Sequence, residues 1–198
     1  MAHALDRRNS VKQGSAMIVR IRRGTEADID DIVCLSHAIW RHRLAQQLGV
    51  SFEHWPMIAA LMRTELIPIA RTILVAERGG QIAGYSHRDR AMIEDLWIDP
   101  PFQRAGIGPR LLRAQVEAIA ADGYRTASLE CLEANVHARR FYEREGWRPV
   151  YRYSRPSPLF HSDIPRIRYE YDVWRRRNRE PAGPPVDTAS KRTTSVTN

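Results

Sequence analysis

The stretch WIDPPFQRAGIGPRLL, residues 97–112, constrains the chain more than any other. A strand-like apolar run ends in a proline pair, passes through Phe-Gln and two glycines, and gives way to a helical pattern. Gly106 and Gly108 lack the Cβ that forbids positive φ, so the backbone can turn tightly there. Pro109 suits the first helical position, where a missing N–H costs no helical hydrogen bond. Such a loop turns several unpaired N–H groups outward at the positive end of a helix dipole. That makes an anion site, most simply one for phosphate. Two well-known phosphate loops fail on spacing. The G-x-G-x-x-G pattern is met at Gly106 and Gly108 but finds Leu111 at its third glycine, and no Gly-Lys-Ser/Thr follows for a P-loop.

The patterns around the loop alternate between strand and helix. MIVRIRR reads as a strand, and TEADIDDIVCLSHAIWRHR as a helix, with Thr25 and Asp28 as a capping box and Ile29, Ile32, Val33 and Ser36 opening its apolar stripe. SFEHWPMIAALMRTEL is a second helical run. RTILVAERGGQIAGYSHRD holds two apolar runs about Gly79-Gly80, a hairpin signal, and AMIEDLWI is a further strand leading into the loop. The following helix places Leu112, Val116 and Ile119 on one face and ends near Gly123. TASLECL alternates as a strand does. NVHARRFYEREGW is a helix with Asn135 at its N-cap and Gly146 just past its end, and RPVYRYS and RIRYEYDVW are two closing strands. The order β-α-α-β-β-β-α-β-α-β-β implies an α/β domain on a mixed sheet.

A chain of 198 residues fits one domain with tails. Residues 1–16 read as a disordered leader, 17–174 as the domain, and the Pro-, Ser- and Thr-rich residues 175–198 as a disordered basic tail. The net charge is +8, of which the leader carries +2 and the tail +4, leaving +2 for residues 17–174. With Lys12 and Lys191 the only lysines, the domain is basic through arginine alone, a weak case for nucleic acid beyond some affinity in the tail. No apolar run reaches a membrane-spanning length, and the N-terminus has no apolar signal core. Cys34 and Cys131 read as reduced, buried thiols of a cytoplasmic protein, and the seven histidines show no metal-ligand spacing, so no metal is expected.

The loop resembles the acetyl-CoA loop of the GNAT N-acetyltransferase superfamily, Q/R-x-x-G-x-G/A, matched by Gln103, Arg104, Ala105, Gly106, Ile107 and Gly108. LWIDP stands where that family has L-x-V-x-P. LECLEANVHARRFYEREGW resembles a second family segment: Asn135 and Tyr142 hold its seven-residue spacing, and Gly146-Trp147 replaces the usual Gly-Phe. The resemblance runs from about residue 18 to 174 and implies a GNAT fold, a mixed, mostly antiparallel sheet of six to seven strands flanked by about four helices. It also implies acetyl-CoA as cosubstrate, its pyrophosphate cradled by amides of Arg104, Gly106 and Gly108. Pro109 removes one N–H from that cradle, and the Arg104 side chain either adds charge to it or sits in solvent. The strand through Leu96, Trp97 and Ile98 is implied to splay from its neighbour and bond the acyl and pantetheine arm. Free edge N–H groups there would polarise the thioester carbonyl as an oxyanion hole does. Asn135 would bond the pantetheine as well as cap its helix.

Acyl transfer to an amine also needs a base for the amine and an acid for the departing thiolate. The resemblance gives the acid role to Tyr142, whose plainer role is packing the last helix on the sheet. Glu130 and Glu94 both match positions where family members carry a glutamate base, and partial burial would raise either pKa. His87 and His137 are weaker candidates. Acceptor specificity is implied for Trp40, Arg41, His42, Trp55, Phe160 and His161, arginines there suiting an acceptor with a carboxylate or phosphate. The expected activity is transfer of an acetyl group to a primary amine, small molecule or peptide, by direct attack in a ternary complex. The alternative is a non-catalytic acyl-CoA-binding module, a sensor or partner subunit. Dimerisation through the C-terminal strands is a family expectation.

Overall fold

The computed structural model describes residues 18–39, 41, 55–157 and 162–174. Strands β1 (Arg20–Arg23), β2 (Leu74–Arg78), β3 (Gln81–Asp89), β4 (Met92–Ile98), β5 (Thr126–Leu132), β6 (Arg148–Ser157) and β7 (Ser162–Asp172) form one sheet in the order β1-β2-β3-β4-β5-β7-β6. Every neighbouring pair is antiparallel except β4 and β5, which run parallel. Helices α1 (Ile29–Ile39), α2 (Trp55–Leu66), α3 (Ile107–Ala121) and α4 (Val136–Arg144) complete the order read from the sequence. Residues 1–16 and 175–198 lie outside the described residues.

Turn chemistry sets the joints. Gly79 and Gly80 both take positive φ, 60° and 77°, the pair that a two-residue hairpin twisting with its strands requires. Gly123 and Gly146 sit at left-handed positions just past α3 and α4, and the next residues donate back to the helix ends, Tyr124 N–H to Ile119 O and Trp147 N–H to Tyr142 O. The start of the first helical run is a single 3-10 turn, Glu26–Asp28, before α1. There Asp28 accepts from Thr25 N–H at 2.7 Å and takes both terminal nitrogens of Arg22 at 2.8 Å, while Arg22 Nε donates to Glu77. These bonds tie β1, the 3-10 turn and β2 together, and Arg22 holds the Asp28 carboxyl at about 2.

The β2–β4 half of the sheet is packed on both faces. Val75 and Tyr85 meet Ile29, Ile32, Val33 and Ile39 of α1 on one side, and Trp97 packs against the same cluster. Ala76 and Ala83 meet Ile107 and Leu111 of α3 on the other, and further along that face Ile93, Leu129, Cys131, Ile167 and Tyr169 meet Leu112, Val116 and Ile119. Cys131 is buried as expected, but Cys34 is exposed. It lies on the outer side of α1, off the stripe that Ile32, Val33, Ser36 and Ile39 bury.

Candidate active site

The loop between β4 and α3 is built to leave backbone donors open. Arg104 and Gly106 both sit in the left-handed region, at φ 64° and 73°. For arginine that conformation costs about 1 kcal/mol, a strain the sequence did not reveal. Helix α3 starts at Ile107, so Pro109 is its third residue rather than its first. It is still in the first turn, whose N–H groups have no partners within the helix. The Gln103 side-chain amide donates to Ile98 O at 3.0 Å and locks the loop onto the end of β4. Gly108 faces α4: a Cβ there would stand 3.4 Å from the Phe141 ring, an ordinary contact, so only a side chain longer than alanine's would press on that ring. A groove of about 230 Å³, lined by Pro109, Leu112, Arg113, Val116, Glu145, Trp147 and Tyr171, begins at the same turn.

Beside the loop the sheet comes apart. β5 pairs with β4 only at Met92–Ser128 and Ile93–Leu129, while β4 continues against β3 to Ile98 and β5 continues against β7 to Leu132. Beyond Ile93 the two parallel strands therefore diverge. A bulge at Glu94 accompanies the divergence, since His87 faces Asp95 and Arg88 faces Ile93 with Glu94 left over. The extra residue reverses the alternation. Ile93 and Leu96 pack on the α3 side, whereas Trp97 packs on the α1 side. Asp99 N–H donates to Ala83 O on β3. Counting back from it by twos, Trp97 and Asp95 spend their backbone groups on β3, and Leu96 and Ile98 turn theirs into the gap.

The side chains expected to carry chemistry gather around this gap. Tyr142 packs against Phe141, Trp147 and Tyr169 at ring distances of 5.2, 6.4 and 5.9 Å, and its hydroxyl makes no hydrogen bond among the described residues. Burial, then the neighbouring Cys131 and Asp95, push that hydroxyl well above the ordinary phenol value, so it stays protonated at neutral pH. Asn135 caps α4 by accepting from Ala138 N–H at 3.1 Å, which leaves its amide nitrogen uncommitted among the described residues. Glu94 and Glu130 lie on the face opposite Tyr142's packing partners, close enough for Glu130 to act on Glu94. Burial first, then Asp95 and Glu130, raise the Glu94 carboxyl. Glu130 is differently placed: Arg168, Arg155 and Arg166 stand 3.4, 3.8 and 3.9 Å from its carboxylate.

One carboxylate escaped the sequence reading. Asp95 follows the bulge, accepts from the Trp97 indole at 2.9 Å, and has its pKa raised by burial against the pull of that bond and of His87. The only signal was a pair of acids in an otherwise apolar strand. His87 is half-buried with its pKa lowered by burial, and His137 is exposed on α4. Of the residues expected to shape the acceptor side, Arg41 is exposed and Trp55 stacks on His37 at 4.4 Å, while Trp40, His42, Phe160 and His161 lie outside the described residues.

Comparison with known proteins bears on the family and the fold. Residues 29–147 match the model of the acetyltransferase (GNAT) family. The chain is 27% identical over 163 residues to a probable N-acetyltransferase of Mycobacterium tuberculosis, covering 76% of this chain and 92% of the relative. Among solved structures, the apo form of YjaB from Escherichia coli superimposes with a TM-score of 0.61 at 20% identity, covering 78% of this chain and 98% of that one. The PaiA N-acetyltransferase of Thermoplasma acidophilum, solved with coenzyme A, does so at 0.62 and 16% identity, covering 79% and 99%. At these identities the two structures speak for the fold. Among the described residues no helix is long and apolar enough to cross a membrane.

Proposed function

The chain belongs to the GNAT acetyltransferase family, and on that premise we propose that it moves an acetyl group from acetyl-CoA to a primary amine, small molecule or peptide, by direct attack in a ternary complex. The observation that carries the reading is the parting of β4 from β5 beyond Ile93, next to a helix N-terminus with open amides. Phosphate groups suit the amides of Arg104, Gly106, Ile107 and Gly108, where Ala105 adds no bulk, and the groove beginning at Pro109 offers Arg113 to the nucleotide end. The pantetheine arm suits the gap, with Asn135 at its rim and Leu96 and Ile98 supplying strand-like backbone bonds. Trp97 contributes through its side chain instead, since its backbone serves β3.

In the chemical step Glu94 takes the proton of the incoming ammonium, its raised pKa bringing it nearer to working pH. The Leu96 N–H faces the oxygen on which charge develops. Tyr142 donates its proton to the leaving sulfur. Glu130, ringed by guanidinium groups, suits holding those arginines, which leaves Glu94 the better placed of the two as base. Two free cysteines, one of them exposed, suit a reducing cytoplasm. The test is a thermal melt with and without acetyl-CoA, followed by thiol release across an amine panel. At about 100 times Kd the ligand adds about 2.7 kcal/mol, a readily measured rise in Tm. No rise would end the reading. A rise with no amine acetylated would favour the non-catalytic acyl-CoA module.

A further inference from the structure

The far half of the sheet carries chemistry that acyl transfer alone does not use. On β5 and β7, Leu129, Cys131, Ile167 and Tyr169 face the α3 side and are buried, so Ser128, Glu130, Arg166 and Arg168 face the other way, on the side of Glu94. There, three guanidinium groups converge on one carboxylate. Arg168 reaches Glu130 at 3.4 Å and Ser128 Oγ at 2.9 Å, whereas Arg155 and Arg166 approach Glu130 only to 3.8 and 3.9 Å, too far for hydrogen bonds. The Nε atoms of Arg166 and Arg168 are buried with no hydrogen-bond partner among the described residues. A single carboxylate cannot saturate three five-donor forks, and three like charges held this close favour a second anion between them. The cluster adjoins the reactive gap, because Arg155 and Glu130 both act on the ionisation of Glu94. Tyr153, whose hydroxyl burial and Glu130 push up to about 12, adds a neutral donor on the same face.

Resting on the acyl-transfer reading, we propose that the acceptor is an amine bearing an oxyanion group, a carboxylate or a phosphate, bound by Arg155, Arg166 and Arg168 while its amine faces Glu94. Paired guanidinium forks match either oxyanion, and a polycationic acceptor would be repelled. The experiment uses the full chain, alone and with CoA, and titrates into it ω-aminocarboxylates and ω-aminoalkyl phosphates of graded length, each beside its neutral carboxamide or alcohol, read by calorimetry. The oxyanion members should bind roughly 10- to 100-fold more tightly than their neutral partners. Comparing the carboxylate and phosphate arms identifies which group is preferred. Arg166→Gln and Arg168→Gln should erase the difference. So should Arg155→Gln, at a side chain 64% exposed, where the substitution should leave the thermal melt of the protein unchanged. Arg20→Gln removes the same charge at the exposed far edge of the sheet and should change nothing. Equal binding of charged and neutral members, no binding by any oxyanion member, or a preference that survives all three substitutions would overturn the proposal. The melt with acetyl-CoA separates the two ideas: oxyanion binding without a CoA-dependent rise keeps the arginine site and removes acyl transfer, and the reverse removes the arginine site alone.

Discussion

Replacing Gly84 with alanine tests how the gap is held open, from a position on β3 that touches no ligand. Gly84 lies opposite Ile98, and a Cβ there would stand 2.7 Å from Trp97 O and 2.7 Å from Ile98 Cδ1, against an ordinary contact of at least 3.4 Å. The isoleucine tip can swing away, but a carbonyl fixed in the β3–β4 ladder cannot. Restoring contact distance moves β4 by the difference, roughly 0.7 Å, toward the gap. A hydrogen bond of about 2.9 Å shifted by that much leaves the useful range. If the Leu96 and Ile98 backbone groups each lose one neutral bond of ~1 kcal/mol, acetyl-CoA affinity falls by ~2 kcal/mol, roughly 30-fold. Overpacking also costs about 1–3 kcal/mol of stability. Gly80→Ala is the control: φ is +77° and a Cβ meets nothing within 4 Å, so it carries backbone strain with no push on β4. Calorimetric titration of acetyl-CoA into both variants should show weakened binding for Gly84→Ala only. Unchanged affinity in Gly84→Ala, or an equal loss in both, would refute the reasoning.

Three further outcomes follow from the site and the fold. Tyr142→Phe should lower kcat by roughly 10²- to 10⁴-fold with acetyl-CoA affinity kept, and an unchanged rate in a thiol-release assay would remove its acid role. Because the Glu94 carboxyl is raised above its usual 4.5, kcat/KM should climb through a limb lying above that pH, and Glu94→Gln should abolish the limb and most of the rate; a limb that survives points to Asp95. Arg22, with the Thr25 hydroxyl and N–H, lowers Asp28 from 3.8 to about 2, so the ionised carboxylate in this network contributes about 2 kcal/mol at neutral pH. That stability is present above about pH 4 and is lost as pH falls toward 2. Denaturant melts across that window should show Asp28→Asn less stable than the parent at neutral pH and converging with it at the acid end.

The fold was legible because its signals are local. Gly79-Gly80, Gly123 and Gly146 each need a positive φ that few residues tolerate, and the alternation in TASLECL coincides with β5 from Thr126 to Leu132. The loop was legible for the same reason. What depended on register was not. The bulge at Glu94 is an offset between two strands, and no composition rule marks which residue is left over. Its consequence, that Leu96 and Ile98 but not Trp97 turn backbone groups into the gap, could not be read from the run LWI. Glu130 and Glu94 looked equivalent as single glutamates, and only the pairing of β5 with β7 and β7 with β6 brings Arg155, Arg166 and Arg168 around one of them. Cys34 misled because its small, buried-type side chain says nothing about which side of α1 it occupies.

A hydrogen-bonded sheet is a wall, and groups on its two faces do not meet. Direct attack on a thioester asks for the opposite: the amine and its base approach from one side of the carbonyl while the sulfur leaves with its acid on the other. In this chain Glu94, Glu130 and the arginines stand on one face, and Tyr142 packs with Leu129 and Cys131 on the other. The two sets can act on a single atom only where neighbouring strands part. The bulge serves that end twice over. It sets Glu94 at the mouth of the gap, and it reverses the strand so that Leu96 turns its backbone into the gap, between the proposed base Glu94 and the proposed acid Tyr142. Were Glu94 paired as an ordinary strand residue, alternation from Ile93 would turn the Asp95 and Trp97 side chains toward α3 and their backbone into the gap, leaving the α1 side without its indole.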